Sequence, residues 1–335
     1  MVNLSDGVNV DTPTYPAQRH RQFGSTNPTR MDFEFWREMV RTGEPAYEVR
    51  KRIDSGSFEG PAIWCFRRFG STRTPLPDGR IVCIGGEHED YYDPDFCIYN
   101  DVIVVQPDGD FYIYGYPRDV FPPTDFHTAA LIGDRILIVG NVGYKEERGD
   151  RTPVFNLDLS TFAITRVRWS GKSPGWIYKH EAELVEDERV LRLFGHKPRD
   201  GDPDRWTGSA ELELDSLKWR PHVLSRPIPG PPELDERLTA RGWTPIQPKY
   251  FEFEINNLRW EVPPGHPLFA CNVAPWASSP SGPNYEVLYR LLDGTGRLAR
   301  VAVQDLNRHA ELPLPVTTFY QDVEDLLRSP DVATD

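Results

Sequence analysis

Two matching stretches, residues 127–140 (HTAALIGDRILIVG) and residues 180–195 (HEAELVEDERVLRLFG), decide the fold. Each begins with histidine, passes through a short charged turn and ends in an apolar run that closes on glycine. A third copy of that run, residues 80–85 (RIVCIG), places the three glycines at 85, 140 and 195, at intervals of 55 residues. A period near ~50 residues with several short strands in each unit is typical of propeller blades. The sequence therefore predicts an all-β fold.

Each of the three units contains four predicted strands in meander order. The strands lie at 63–66, 80–84, 101–105 and 111–114 in the first unit (61–120), at 127–132, 135–139, 153–159 and 162–169 in the second (121–172), and at 180–185, 190–194, 210–214 and 217–219 in the third (173–223). Three blades do not close a ring, since propellers have ~4 to 8. We therefore expect an incomplete or degenerate propeller over residues 61–225.

The flanking segments differ from these units in pattern. Residues 1–30 are polar and aperiodic, which predicts an arm, and residues 31–60 are predicted to be helical, with Asp32 as a cap. Residues 226–249 are rich in proline and predict a stiff linker. Residues 250–335 predict a C-terminal β unit with a hairpin at 293–296 and a terminal helix at 323–328. This unit is a degenerate fourth blade, a separate small β unit or a surface where two open fans of blades meet.

The composition excludes several classes of protein. The formal net charge of −13 opposes broad contact with nucleic acid or with an anionic membrane surface. No run approaches the ~18 apolar residues that a membrane span needs, and the N-terminus lacks the pattern of a secretory signal. The four cysteines have no CxxC spacing, which indicates reduced thiols. We expect a cytoplasmic protein.

The third unit resembles a kelch repeat. The residues that carry the resemblance are 171–174 (GKSP), 180–182 (HEA), a strand that closes on glycine, 212–215 (LELD) and Trp219. The second unit is similar, and the first keeps the double glycine Gly85-Gly86, whereas Asn141 and His196 replace the second glycine in the other units. The resemblance covers residues 61–223 and implies kelch-type propeller blades. It leaves the activity open, because a fold does not fix a function.

The long connections between corresponding strands are predicted to emerge on one face. They carry exposed aromatic and basic residues of the kind that interaction surfaces use; mere hydrated loops are the alternative. The candidate binding residues are Tyr91, Tyr92, Tyr144, Arg148, Arg199, Arg205 and Trp206.

The connection at residues 87–97 (EHEDYYDPDFC) concentrates residue types that bind metals. Glu89, Asp93 and Cys97 have a spacing that resembles the iron-binding loop of plant kelch-type specifier proteins, and His88 lies beside them. A solvated acidic loop is the alternative interpretation. His127 and His180, at equivalent strand starts, are either structural or line one rim of a channel.

Two functions remain open from the sequence. The first is a non-catalytic protein-binding module without a cofactor, such as an inhibitor or immunity protein, whose acidic charge would steer a basic partner toward it. The second is a metal-dependent lyase or hydrolase in which Fe, Zn or Mn is bound by the 87–97 loop and His127 or His180 acts as acid or base. A homodimer is one way to complete the ring.

Overall fold

Antiparallel β-sheets make up most of the folded chain in the computed structural model. The structure describes residues 7–11, 13–53, 61–88, 96–195, 208–221, 234–245, 273–281, 284–291, 297–304 and 316–329. The chain divides into two compact units, Met1–Arg226 and Pro227–Asp335. The hairpin turn that the sequence predicts at residues 293–296 lies outside the described residues.

The first sheet has five strands. In chain order the strands of this region are β1 (Thr29–Arg30), β2 (Thr72–Pro75), β3 (Ile81–Ile84), β4 (Glu87–His88), β5 (Cys97–Ile98), β6 (Val102–Val105) and β7 (Phe111–Gly115). The order in the sheet is β1-β7-β6-β3-β2. The chain segment that connects β3 to β6 contains β4 and β5, which form a separate two-stranded ladder. The β-branched runs in β3 and β6 suit a sheet that is buried on both faces.

The second and third sheets repeat the same meander. The second contains β8 (Thr128–Ile132), β9 (Arg135–Val139), β10 (Val154–Asp158) and β11 (Ile164–Arg166). The third contains β12 (Ser170–Gly171), β13 (Glu181–Val185), β14 (Val190–Phe194), β15 (Ser209–Glu213) and β16 (Lys218–Pro221). The order is β11-β10-β9-β8 in the second sheet and β12-β16-β15-β14-β13 in the third.

Apolar cores join the three sheets in sequence. One core combines residues of the first and second sheets, including Val82, Val104 and Ile138. The next core combines the opposite face of the second sheet with the third sheet, including Val139 and Leu191. Because side chains alternate between the two faces of a strand, β9 contributes to both cores. β2, β8 and β13 are the first strands of the three four-stranded meanders, and β8 contacts both of the others.

Backbone conformations repeat with the same period near 55 residues. Residues with positive φ recur at matching turns and strand starts, in the sets Gly70, Phe126, Lys179; Gly79, Gly133, Arg189; and Gly109, Phe162, Leu217. Only some of these positions are glycine, although glycine adopts positive φ most readily. The shared backbone geometry therefore extends beyond the shared sequence.

The N-terminal segment differs from two of its predictions. Residues 13–30, assigned to an arm, contribute the helix α1 (Thr14–Gln18) and the edge strand β1, which pairs with β7. The helices α2 (Glu34–Thr42) and α3 (Ala46–Ile53) follow. Asp32 does not cap α2: Phe33 occupies the N-cap without a side-chain hydrogen bond, and Asp32 pairs with Arg30 at 2.9 Å.

The prediction of a strand at residues 63–66 is wrong. Ile63 forms only an isolated bridge with His20, and the first sheet begins instead at β2. The apolar run is buried for a different reason, because Trp64 stacks on Trp36 of α2 with ring centroids 4.8 Å apart. An apolar run of this length is compatible with a buried irregular segment as well as with a strand.

The C-terminal unit contains one antiparallel sheet. Its elements are α4 (Glu236–Thr239), β17 (Thr244–Pro245), β18 (Val273–Ser281), β19 (Asn284–Leu291), β20 (Leu298–Gln304), β21 (Val316–Tyr320) and α5 (Val323–Arg328), with the strands in sequential order. Trp243, Trp276 and Leu326 contribute to its core. The terminal helix agrees with its predicted bounds. Among the described residues, no helix has the length and apolar character that a bilayer span requires.

Candidate interaction site at the loop ends of the sheets

Two histidines join neighbouring sheets at the starts of their first strands. His127 Nε2 lies 2.8 Å from Thr72 Oγ1, and His180 Nε2 lies 3.0 Å from Thr128 Oγ1. Thr128 Oγ1 also donates to the carbonyl of Val139, so it accepts the hydrogen bond from His180 Nε2–H. Both histidines are more than nine-tenths buried. The repeated pair aligns the starts of β2, β8 and β13.

Burial keeps these two histidines neutral. Desolvation lowers the pKa of His127 to about 3, with a smaller contribution from the nearby His180, and lowers the pKa of His180 to about 3. A proton donor or acceptor for chemistry near neutral pH needs a pKa much closer to the working pH. Burial and the lowered pKa values therefore favour a structural role for His127 and His180 over an acid–base role.

Glycine is required where the second strand of a sheet ends. Gly140 has φ of 79°, and a Cβ there would lie 2.6 Å from the carbonyl oxygen of Ile177. Gly85 has φ of 55° and approaches the carbonyl of Thr124 in the same way. The backbone N–H of Gly86 donates to Thr124 O, and that of Asn141 donates to Ile177 O. These close contacts hold the segments that lead into β8 and β13.

The ladder of β4 and β5 is anchored by side chains from two other segments. The Tyr144 hydroxyl accepts hydrogen bonds from the backbone N–H of Ile98 at 3.0 Å and from Arg21 Nη1 at 3.1 Å. Arg21 Nη1 also donates to the carbonyl of Ile98. On the other side, Phe69 and Glu87 exchange two backbone hydrogen bonds of 2.8 Å. The base of the β3–β6 connection is thus fixed to the β9–β10 connection.

Aromatic and arginine side chains alternate beside this anchor. The guanidinium of Arg21 lies 4.7 Å from the ring centroid of Phe23, and that of Arg118 lies 5.7 Å from the ring centroid of Tyr144. Phe96 packs edge-on against Tyr144 at 5.9 Å and is 46% exposed. We call these residues, together with a neighbouring arginine of the same connection, the loop-end surface: Arg21, Phe23, Phe96, Arg118, Tyr144 and Arg148.

Hydrogen bonds fix the backbone of the β9–β10 connection, which carries Tyr144 and Arg148. Arg148 is exposed, and its Nε donates to the carbonyl of Val142 at 2.9 Å. The buried Asp125 carboxylate accepts from the Gly143 N–H at 2.8 Å. Desolvation raises the pKa of Asp125 to about 6, although this hydrogen bond and the charge of Arg148 oppose the shift.

The structure places two of the seven predicted binding residues. Tyr144 and Arg148 both belong to the loop-end surface, but Tyr144 is half-buried rather than exposed, because its hydroxyl and ring hold the ladder and Phe96. The other five predicted residues lie outside the described residues: Tyr91, Tyr92, Arg199, Arg205 and Trp206.

The predicted metal set is represented by Cys97 alone, because Glu89 and Asp93 lie outside the described residues. Cys97 is 6% exposed, and desolvation raises the pKa of its thiol, so the thiol is protonated at neutral pH. Its cross-strand partner in the ladder is His88, which is fully buried. Within the described part of the chain, no three side chains of His, Cys, Asp or Glu are grouped so as to hold a metal ion.

Sequence reasoning predicted two of the six residues of the loop-end surface, Tyr144 and Arg148, and gave Phe96 no role although it lies in the 87–97 connection. Arg21 and Phe23 belong to the segment assigned to an arm, and Arg118 lies at the end of the first predicted unit, after its last predicted strand. No periodicity or spacing marks these residues. Their placement follows from β1 and β7, which bring the N-terminal segment along the first sheet. Only the tertiary structure brings the three to Tyr144.

Comparisons with known proteins give little further information. No protein-family profile matches the chain, and no curated protein matches it. Eighty-five chains of solved structures match. One of them, titled "Structure of YjhT", is 9% identical, covers 76% of this chain and 65% of its own length, and has a TM-score of 0.34. At this level the likeness supports no argument.

Proposed function

We propose that the three sheets are consecutive blades of an incomplete kelch-type propeller and that the protein is a non-catalytic protein-binding module. The neighbouring first strands, the two threonine–histidine pairs and the recurring positive-φ positions support the blade arrangement. In such an array the inter-strand connections present the binding residues on a rigid scaffold.

The loop-end surface is the observation that carries the binding proposal. Arginine, tyrosine and other aromatic residues are enriched at protein interfaces and among the residues that dominate binding energy. Phe96 is a large apolar side chain left 46% exposed beside them. The hydrogen bonds of Tyr144 hold the surface in place before any partner arrives, which lowers the entropy lost on binding.

Ion pairs join the strands of the third sheet on the face opposite its core. Leu191 and Leu212 point into the core shared with the second sheet, so their neighbours along the strands face the opposite way. On that face the buried Glu211 accepts from Arg192 Nε at 2.7 Å and from Arg220 Nε at 2.9 Å. These bonds connect β15 to β14 and to β16.

Affinity capture with matched variants tests the binding function. The wild-type protein and Thr165→Asp, a change at an exposed position of β11, should each recover one partner protein from a lysate of the source cells in equal molar amount. Phe96→Asp should lose that partner, because a charge replaces the exposed apolar contact. Failure to recover a stoichiometric partner, or its retention by Phe96→Asp, would contradict the proposal.

A further inference from the structure

The arginines of the loop-end surface have unused hydrogen-bonding capacity. A guanidinium has five N–H donors in a fixed planar arrangement. Arg21 uses only Nη1, for the carbonyl of Ile98 and the hydroxyl of Tyr144. Its Nε and Nη2 have no acceptor among the described residues. Arg21 is half-buried, and these two nitrogens form the bidentate edge of its guanidinium.

The other two arginines are partly engaged in the same way. Arg118 pairs its Nε and Nη2 with one oxygen of Glu147, the Nε bond measuring 2.8 Å. Arg148 gives Nε and Nη2 to the carbonyls of Val142 and Gly143. In both residues Nη1 has no acceptor within the part of the chain that the structure describes. The side chain of Arg118 is 47% exposed.

Aromatic rings and backbone carbonyls hold these guanidinium groups in fixed positions. Phe23 and Tyr144 are each approached by Arg21 and by Arg118, at 4.7 to 5.9 Å from the ring centroids. Each contact of this kind is attractive, because the face of an aromatic ring carries partial negative charge. A partner therefore meets arginines whose rotamer freedom is already reduced.

We propose that the loop-end surface recognises an acidic segment of a protein partner that carries an apolar residue among its carboxylates. The proposal rests on the protein-binding function above. Carboxylates match the planar donors of arginine better than any other protein group does, and the apolar residue covers Phe96. The net charge of −13 favours a basic partner at long range, whereas the local donors at this surface favour an acidic one.

Two other occupants are distinguished by experiment. Single-stranded nucleic acid also combines anionic groups with planar rings that stack on aromatic side chains. The chain's own acidic stretch, residues 89–95 (EDYYDPD), directly precedes Phe96 in the sequence and supplies the same chemistry. If this stretch occupied the surface, an added acidic peptide would bind only to a variant in which the acidic residues of 89–95 had been changed to amides.

A titration of the full chain with synthetic ligands tests the proposal. The ligands are a twelve-residue peptide of glutamate, leucine and phenylalanine, the same peptide with lysine in place of glutamate, and a twelve-nucleotide oligo(dT). We expect the acidic peptide alone to bind and to shift the NMR resonances of the Arg21, Arg118 and Arg148 Nε–H groups. Added salt should weaken the complex, because exposed ion pairs are screened.

Charge-reversal variants complete the test. The double variant R118E/R148E should weaken the acidic peptide by about tenfold, as expected for two exposed charge pairs. R189E should leave the affinity unchanged, because Arg189 lies at the β13–β14 turn, at the opposite end of the strands. The proposal would be overturned if the basic peptide or oligo(dT) bound more tightly than the acidic peptide, or if R118E/R148E kept the wild-type affinity. It would also be overturned if the acidic peptide bound only after the acidic residues of 89–95 had been changed to amides, or if it did not bind at all. Loss of the proposed function itself is detected separately, by failure of the partner capture.

Discussion

The hydroxyl of Tyr144 accepts a hydrogen bond from the backbone N–H of Ile98 at 3.0 Å, which links the connection of the second sheet to that of the first. The two residues are 46 positions apart in the sequence. This bond turns two separate connections into one continuous surface. It also explains why Phe96, two residues before Ile98, is held out toward solvent against the Tyr144 ring.

Removing that hydroxyl should loosen the ladder of β4 and β5. In Tyr144→Phe the Ile98 N–H and Arg21 lose their shared acceptor, while the aromatic packing against Phe96 remains. We expect faster hydrogen exchange at the Ile98 amide with little change in global stability, since a net hydrogen bond contributes about 1 kcal/mol. Tyr112→Phe, a change on β7, is the control and should leave Ile98 unaffected. Unchanged exchange at Ile98 in Tyr144→Phe would show that the hydroxyl is not the anchor.

Gly140 should tolerate alanine far less well than Gly133 does. Both residues have positive φ, 79° and 61°, but a Cβ on Gly133 meets no atom within 4 Å, whereas one on Gly140 meets the Ile177 carbonyl. Gly133→Ala should cost about 1 kcal/mol, the conformational strain alone. Gly140→Ala should cost several kcal/mol, because strain and a backbone clash combine. Equal losses in urea denaturation would mean that the close approach at Gly140 is absent.

Asp125 should make stability fall as the pH rises. Its pKa in the folded chain is raised to about 6 from an ordinary 3.8, so folding favours the protonated carboxyl. That stabilisation is complete below pH 3.8 and is lost as the pH rises through 6, by about 3 kcal/mol at pH 7. Asp125→Asn keeps an acceptor for Gly143 N–H and removes the charge. The variant should therefore gain stability relative to wild type between pH 4.5 and 7.

Asp158 provides the opposite case. Hydrogen bonds from the hydroxyl of Ser160 and from Thr161 lower its pKa to about 2, so it is ionised throughout that pH interval. The stability difference between Asp158→Asn and wild type should therefore be constant from pH 4.5 to 7. A constant difference for Asp125→Asn as well, or one that changes in the opposite direction, would contradict the assignment of Asp125.

The joint between sheets should also show energetic coupling. Thr128→Val removes the acceptor for His180 Nε2–H and leaves that donor buried, which costs about 1–3 kcal/mol. Thr165→Val on the exposed side of β11 should have little effect. In Thr128→Val/His180→Phe the loss should be smaller than the sum of the two single losses, because no polar partner is left unpaired. Additive losses would argue against a direct bond.

Local sequence signals predicted the second strand of each meander well, whereas β1, β2 and β12 were not predicted. The apolar runs ending at Gly85, Gly140 and Gly195 became β3, β9 and β14, with bounds within one residue, since β-branched and leucine-rich runs between turns leave few alternatives. The failures occurred where tertiary packing decides. Trp64 is buried by a stack with Trp36 and not by a sheet, and Arg21 reaches Tyr144 across 123 positions of sequence.

The residues of the candidate site also differ in whether local sequence or tertiary packing determines their place. Tyr144 and Arg148 were predicted because corresponding connections of repeated units emerge together. Asp125 gave no signal, because its burial depends on the loop that covers it. Arg118 is an ordinary charged residue by sequence, and only its placement between Phe23, Tyr144 and Glu147 makes it part of a surface.

The central claim is that equivalent threonine–histidine pairs join successive sheets, which places their connections on one surface. Long-range ¹H–¹⁵N NMR of the imidazole rings between pH 4.5 and 8 tests it most directly. We expect both rings to stay neutral throughout, since their pKa values are lowered to about 3, and His180 to carry its proton on Nε2, toward Thr128. Titration of either ring near pH 6.5, or a proton on Nδ1 of His180, would contradict this claim.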